Sequence, residues 1–296
     1  MKFGVCVPNY GESLSVEGVR AVGLEAEKLG YDSLWTTDHI LMPKNSGTPY
    51  ERILDCITTL AYLAPLTNRS KLGISSLIIG MRNPVAAAKQ LSSIDALSGG
   101  RVLVAMASGW NETEFSFVGA DYHRRGKKLD ESIRLFRTLW KGETKFQGKT
   151  LGVNFENAVF EPRPKNPHLP ILIGGISEAA MRRAVDLGDA WHPNVFPLDT
   201  FRKLVAQFRQ ISPSAKDKEI CVRIGLNTRA KESEYLGATG EKRILFSGDM
   251  AKNRELLSEL EKLGVSSAVL VPSPDGKIPT GQQLQSIRDF AKEFVK

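Results

Sequence analysis

Short apolar runs alternate with helical segments along the whole chain, and this alternation limits the possible folds more than any other feature. Eight runs have the composition of buried strands, at residues 2–8, 33–37, 72–79, 101–107, 170–175, 189–196, 219–228 and 267–273. Apolar residues between them recur at steps of three and four, as in 15–29, where Gly30 follows and ends the predicted helix. Strands joined by helices run parallel, because each helix returns the chain to the same end of the sheet.

Eight parallel units predict an α/β fold of the (β/α)8 TIM barrel type, with 1–296 as a single domain. An open doubly wound sheet is the alternative, but no strand is followed by a dinucleotide-binding glycine fingerprint. Residues 141–169 are rich in Gly, Pro and Asn and predict an insertion with a hairpin between the fourth helix and the fifth strand. Residues 228–249 are polar, and we expect them to form a long loop over the barrel mouth.

Composition argues against several classes of protein. The net charge is +7, but basic and acidic residues are interspersed, and the one dense basic run, 122–128, is typical of a solvated helix start rather than a nucleic-acid patch. No apolar run reaches about 18 residues, and the first residues are too short an apolar stretch for a signal peptide. The three cysteines lie far apart in apolar segments and suit reduced thiols. We therefore expect a cytoplasmic protein that binds neither membranes nor nucleic acid.

In a TIM barrel the active site lies at the carboxyl ends of the strands, so the residues that end each strand are the candidates. Asp38 and His39 end the second strand, and His39 can act as a proton donor, a base or a hydrogen-bond partner of a cofactor. Alternatively, both residues are purely structural: Asp38 caps a turn, and His39 packs against neighbouring side chains. Ser75 and Ser76 interrupt the third strand, where a polar pair indicates a bend, a bulge or a ligand contact.

The fourth strand ends in an aromatic segment. Trp110 stands beside Gly109 and can form a wall for a flat ring, to which Asn111 can donate or accept a hydrogen bond. An equally good use of Trp110 and Phe115 is to cover the barrel mouth.

Two glycines end the fifth strand, just before a predicted helix that starts after Ser177. Gly174 and Gly175 let backbone N–H groups approach a phosphate at a helix N-terminus, whose dipole favours an anion. The same residues are also consistent with an ordinary turn and helix cap.

The strand ends carry few other reactive groups. The two lysines that we place on strands, Lys2 and Lys71, lie at the N-terminal ends of those strands, opposite the expected active site. A catalytic lysine that forms a Schiff base is therefore disfavoured. With four histidines and no HExxH or CxxC motif, a metal site is not predicted, and the GxSxG and Walker motifs are absent. A cofactor is therefore expected to bring the reactive chemistry.

Several segments together resemble the bacterial luciferase-like family of flavin- and deazaflavin-dependent oxidoreductases. They are GYDSLWTTDH (30–39), NPVAAAKQLSSIDALSGGRVLVAMASGW (83–110), NETEF (111–115), RRGKKLDESIRLFRTLW (124–140) and ILIGG (171–175). The DH, GW and WHP pattern is most similar to the F420-associated branch. The resemblance implies a (β/α)8 barrel that binds coenzyme F420 or FMN at its mouth, with an insertion nearby.

The resemblance also implies roles for particular residues. His39, preceded by Asp38, matches the histidine beside the cofactor ring, and Ser75–Ser76 matches a position where members often have a non-proline cis peptide behind the ring. The turn Gly174–Ile176 matches the phosphate-binding turn, and Gly109, Trp110 and Asn111 are expected to contact the cofactor. Related F420 enzymes have a tryptophan soon after the DH pair and a glutamate at the end of strand four. This chain has ILMPK and Trp110 in those places, and Glu112 is expected to be a loop residue.

The resemblance therefore implies an oxidoreductase that transfers hydride between coenzyme F420 and an unknown organic substrate. One alternative is a two-component monooxygenase, in which reduced FMN activates O2. Others are a cofactor-binding barrel without catalysis, favoured by the missing acid, and, less favoured, a metal-dependent barrel hydrolase. The implied partners are a small-molecule substrate, a flavin or F420 reductase, and a second copy in a homodimer.

Overall fold

Strands and helices alternate along the structure, a computed structural model that describes residues 1–295. The strands are β1 (Lys2–Cys6), β2 (Ser33–Thr36), β3 (Lys71–Leu77), β4 (Val102–Met106), β5 (Phe146–Gln147), β6 (Asn154–Phe155), β7 (Ile171–Gly174), β8 (Ala190–His192), β9 (Glu219–Leu226), β10 (Glu234–Leu236), β11 (Lys242–Phe246) and β12 (Val265–Val271). The helices are α1 (Val16–Lys28), α2 (Cys56–Leu63), α3 (Pro84–Ser98), α4 (Glu112–Phe117), α5 (Arg125–Lys141), α6 (Glu178–Asp186), α7 (Leu198–Gln210), α8 (Met250–Lys262) and α9 (Thr280–Phe294).

Eight of the strands close into a barrel. Their order around it is β1, β2, β3, β4, β7, β8, β9 and β12, and all neighbours are parallel. The pairing of β12 with β1 completes the ring. The predicted (β/α)8 barrel is confirmed, and the open sheet is ruled out.

A serine cap and the predicted glycine set the two ends of α1. At the start of α1 the Ser15 hydroxyl accepts a hydrogen bond from the Gly18 amide at 2.9 Å. Gly30 lies just beyond the helix with a φ of +89°, a conformation that glycine adopts at little cost. The predicted bounds of 15–29 are therefore close to those observed.

Trp35 fills part of the barrel interior and supports the site above it. A Cβ at Gly4 would lie 2.6 Å from the Trp35 ring, and one at Gly73 would lie 2.4 Å from it, so the neighbouring strands need glycine at both positions. Trp35 also stacks on His192, with ring centroids 5.5 Å apart and an interplanar angle of 11°. The indole therefore forms a floor under a histidine of the barrel mouth.

Three segments differ in detail from expectation. The helix predicted near 50–64 begins only at Cys56, because the Asp55 carboxylate accepts the Thr58 amide at 2.8 Å and caps it there. Helix α4 was not predicted. In place of the loop expected over 228–249, the structure has β11 parallel to the end of β9 and β10 antiparallel to β11. The insertion 141–169 contains the expected hairpin, formed by β5 and β6.

Within residues 1–295, no helix has both the length and the apolar character that a membrane crossing requires. Cys6, Cys56 and Cys221 are free and buried, as expected.

Candidate active site

A cleft opens at the carboxyl ends of the barrel strands and contains about 910 Å³ of empty space, including its open mouth. Eight of the ten candidate residues from the sequence line it. They are Asp38, His39, Ser75, Ser76, Gly109, Trp110, Gly174 and Gly175. The barrel therefore brings together side chains from the ends of β2, β3, β4 and β7, as the strand-end argument predicted.

His39 is held by a carboxylate that the sequence analysis did not identify. Its Nδ1 lies 2.7 Å from one oxygen of Glu114, and the other oxygen accepts a hydrogen bond from the Ile40 amide at 2.6 Å. Burial raises the pKa of the Glu114 carboxyl, but the hydrogen bonds from His39 and Ile40 outweigh it, so the pKa is lowered overall. An ionised Glu114 directs the Nδ1 proton of His39 toward itself. Nε2 then remains for a ligand, since it bonds to no other part of residues 1–295.

Two aromatic rings enclose the imidazole of His39. Tyr50 stacks on it, with centroids 4.4 Å apart, and Trp110 meets it edge-on at 5.8 Å. Trp110 reaches this place from the end of β4. It thus packs beside the histidine in a chain that has no tryptophan soon after the Asp-His pair.

Asp38 is engaged in a buried ion pair and does not have a free carboxylate. Arg82 Nη2 lies 2.5 Å from Asp38 and 2.8 Å from Asp55, and the second Asp38 oxygen accepts the Ile78 amide at 2.9 Å. Asp38, Asp55 and Cys56 come close enough together to hold a metal ion, but the Arg82 guanidinium lies among them. These bonds fix the Asp38 side chain beside the backbone that carries His39, and a catalytic role of Asp38 stays a prediction.

Ser75 lies at a cis peptide and is bound to a neutral histidine. The Ser75–Ser76 bond is cis, as the resemblance implied. His192 Nδ1 donates to the Cys221 carbonyl at 2.6 Å, so Nε2 accepts from the Ser75 hydroxyl at 2.7 Å. Burial, together with the positive charge of Arg223, lowers the pKa of His192 to about 4, although the hydrogen bond to the Cys221 carbonyl acts in the opposite direction. His192 is therefore an uncharged support for the Ser75 side chain.

The glycine turn after β7 lines the cleft in front of helix α6. A Cβ at Gly174 would lie 2.7 Å from the Ser76 hydroxyl, and Gly175 has a φ of +113°, which L-residues with side chains rarely adopt. Ser177 caps α6 by accepting the Ala180 amide at 3.2 Å. The turn and the helix N-terminus both face the cleft, where backbone N–H groups favour an anion.

Two candidates lie away from the cleft. The side-chain oxygen of Asn111 accepts a hydrogen bond from the Glu114 amide at 3.0 Å and caps α4, so this oxygen is used within the protein. Ile176 is 40% exposed and does not line the cleft. Glu112 was expected to be a loop residue, but it is the first residue of helix α4, with a largely exposed side chain.

Two residues of the site that the sequence analysis did not identify are Glu114 and Arg223. Glu114 comes three residues after a helix-capping asparagine, which marks a helix start but cannot reveal a partner 75 residues away. Arg223 stands in the apolar run EICVRIGL, two residues from Cys221 and therefore on the same face of the strand. A charged residue on the inner face of a buried strand is a signal that sequence reasoning could have used.

Comparison with known proteins identifies relatives at the level of sequence. The model of the family described as luciferase-like monooxygenase matches residues 1–270. An uncharacterised protein of Mycobacterium tuberculosis is 29% identical over 205 residues, which cover 64% of this chain and 69% of the relative. The FMNH2-dependent dimethylsulfone monooxygenase of Pseudomonas putida is 26% identical over 287 residues, which cover 90% of this chain and 76% of the relative.

Solved structures share the fold. An F420-dependent secondary alcohol dehydrogenase, in complex with an F420-acetone adduct, superposes with a TM-score of 0.78. The alignment covers 99% of this chain and 98% of the dehydrogenase, at 14% sequence identity. Similarity at this level of identity is evidence for the barrel architecture.

Proposed function

The chain belongs to the luciferase-like monooxygenase family, whose members include F420- and flavin-dependent oxidoreductases, and we propose that it transfers hydride between coenzyme F420 and a small organic substrate. The observation that supports the proposal is the His39–Glu114 pair, which places an oriented imidazole in a cleft that is also lined by the glycine turn after β7.

The residues of the cleft fit such a cofactor. Gly174, Gly175 and Ser177 line the cleft at the N-terminus of α6, where backbone N–H groups suit a phosphate group. Ser75 and Ser76 form a rigid surface against which a flat ring can rest, because Ser75 is fixed by His192 below it. When bound, F420 supplies a carbon centre that donates or accepts hydride.

His39 manages the proton that must accompany hydride transfer to or from a carbon–oxygen bond. Reduction of a carbonyl needs a proton at the oxygen, and oxidation of an alcohol needs that proton removed. Nε2 of His39 can perform either step, while Glu114 holds the ring in place through Nδ1. Asp38 acts on the same residue indirectly, through the bonds that fix the end of β2.

A second candidate is an FMNH2-dependent monooxygenase, favoured by the Pseudomonas putida relative that matches 90% of this chain. It would use O2 and need a flavin reductase as partner. We rank it second because the DH, GW and WHP pattern of the sequence is most similar to the F420-associated branch. A homodimer stays a prediction, which light scattering can test.

Titration of the purified protein with oxidised F420 and with oxidised FMN, followed by cofactor fluorescence, tests the proposal. We expect F420 to bind tightly and FMN weakly. The reverse result would favour the second candidate, to be tested with a flavin reductase and oxygen, and binding of neither would reject a cofactor enzyme of this type.

His39→Ala should bind cofactor normally but lower turnover by about 10²-fold or more, because general acid–base catalysis contributes that much. The matched control is His123→Ala, since the His123 side chain is 82% exposed. Equal turnover of the two variants would remove His39 from the chemistry.

A further inference from the structure

We propose that the amino-terminal end of the barrel holds a second ligand-binding site, which takes a zwitterionic amino acid with an aromatic side chain. This site lies at the opposite end of the barrel from the active cleft. The inference goes beyond the proposed function and does not depend on it.

A cavity of about 480 Å³ opens inside the barrel at the amino-terminal ends of the strands, and we call it the lower cavity. All eight barrel strands contribute to its lining. Its volume lies in the range of about 300–1,000 Å³ that is usual for small-molecule sites. No residue of 1–295 lines both this cavity and the active cleft. The barrel therefore has two separate spaces, one at each end.

Small side chains leave the lower cavity unfilled. TIM barrel interiors are normally filled by layers of bulky branched side chains. The lower cavity is instead lined in part by Gly4, Ser33, Ala190, Cys221 and Ser267. An unfilled volume inside a protein lowers stability, because the surrounding atoms lose packing contacts. A ligand that occupies the lower cavity restores those contacts.

Trp35 forms the roof of the lower cavity and presents an aromatic face to it. The indole lines this cavity and does not line the cleft. On the cleft side it is covered by His192, whose ring is nearly parallel to it at an interplanar angle of 11°. Its Nε1 donates to the Ser33 hydroxyl at 2.8 Å, which fixes the orientation of the ring. The opposite face of the indole is therefore available to stack on an aromatic ring from below.

Opposite charges face each other across the mouth of the lower cavity. Lys71 begins β3 and Glu219 begins β9, and these strands lie on opposite sides of the ring of eight. Lys2 lines the same side as Lys71, and Asp217 lines the same side as Glu219. None of these four side chains has an ion-pair partner within residues 1–295, and Glu219 accepts a hydrogen bond from the Ser266 hydroxyl at 3.3 Å. The mouth therefore offers a cationic side and an anionic side to a ligand.

The other acids of the lining are already bonded within the protein. The Asp32 carboxylate accepts a hydrogen bond from the Phe3 amide at 3.1 Å. Asp189 forms ion pairs with Arg137 at 2.5 Å and with His168 at 2.7 Å. These acids therefore do not change the division of the mouth into two oppositely charged sides.

An α-amino acid matches both the charges and the roof. Its carboxylate can bind Lys71 while its ammonium group binds Glu219, because each of these side chains carries its charge at the end of a flexible stem. Its aromatic side chain then extends to the free face of Trp35. A ligand with a single charge leaves one side of the mouth without a partner. Because the Trp35 and His192 rings lie between this position and the cleft, the amino acid is not the substrate of the cleft.

The test measures calorimetric binding of L-phenylalanine, 3-phenylpropanoate and 2-phenylethylammonium to the purified protein. L-Phenylalanine should bind about five-fold more tightly than either singly charged analogue, because an exposed ion pair contributes up to about that factor. Lys71→Gln should weaken binding of L-phenylalanine and 3-phenylpropanoate and leave that of 2-phenylethylammonium unchanged. Glu219→Gln should weaken binding of L-phenylalanine and 2-phenylethylammonium and leave that of 3-phenylpropanoate unchanged.

Lys203→Gln and Glu17→Gln are the matched controls, because they remove the same charges from exposed positions on helices and should leave all three affinities unchanged. Ala190→Leu locates the site, since it fills the lower cavity and changes no residue that lines the cleft. It should abolish binding of L-phenylalanine while circular dichroism shows an intact fold. If Ala190→Leu does not fold, the two charge variants decide the proposal, because their side chains are exposed.

Absence of L-phenylalanine binding, or equal affinities for the three compounds, overturns the proposal. Binding that persists in folded Ala190→Leu also overturns it. Loss of L-phenylalanine binding when F420 or FMN is bound has the same meaning, because the amino acid then occupies the cleft. Failure of the protein to bind either cofactor would refute the proposed function and would not affect this site.

Discussion

Replacing Glu114 with glutamine should separate the orientation of His39 from the folding of the site. Each carboxylate oxygen accepts one N–H group, from His39 at 2.7 Å and from Ile40 at 2.6 Å. A glutamine side chain has one carbonyl oxygen, so its NH2 group must face the second donor. Glu114→Gln should therefore lower the free energy of unfolding by about 2 kcal/mol, the size of one lost hydrogen bond to a buried charged group.

The loss of orientation should reduce turnover further than the loss of stability explains. In the wild type, the Nδ1 proton of His39 is held by Glu114, and long-range proton–nitrogen NMR should report protonated Nδ1 and free Nε2. In Glu114→Gln we expect a mixture of tautomers and a fall in turnover of about 10²-fold, because a misplaced catalytic group costs about that much. Turnover should be measured with the variant fully folded and saturated with cofactor.

Glu112→Gln is the matched control, since Glu112 lies on the same helix but has a largely exposed side chain. We expect it to change the free energy of unfolding by less than about 0.5 kcal/mol. The reasoning is refuted if the two variants have the same stability and the same His39 tautomer. A less stable Glu114→Gln with wild-type turnover would mean that Glu114 stabilises the fold without positioning His39.

Two further predictions concern the cofactor cradle and pH. Gly175→Val should weaken cofactor binding by about ten-fold or more, because it blocks backbone approach at the turn; Gly240→Val, at an open position with positive φ, should not, and equal affinity of both would place the phosphate elsewhere. The pKa of His192 is about 4 in the folded protein and about 6.5 in the unfolded chain. Its contribution to the free energy of unfolding is therefore complete above pH 6.5. As pH falls toward 4, up to about 3 kcal/mol of stability should be lost. Urea unfolding should show a shallower loss for His192→Gln, and identical pH profiles would contradict a neutral buried His192.

Much of the barrel was readable from local patterns. The eight strand segments, the glycine after α1 and the placement of Asp38 and His39 at a strand end follow from residue periodicity and from the parallel arrangement it requires. Segments with weak periodicity were less predictable. Strands β10 and β11 lie in a polar stretch and exist because β11 can pair with the free edge at the end of β9. That pairing depends on atoms distant in sequence.

The sequence by itself determined which side chains end the strands, because the alternation of elements fixes which residues face the barrel mouth. Only the tertiary structure decided how those side chains are used. It paired His39 with Glu114 and Asp38 with Arg82, and it left Arg223 among neutral partners. Hydrogen bonds and ion pairs depend on distances of a few ångströms between residues far apart in the chain, and no spacing within the sequence specifies those distances.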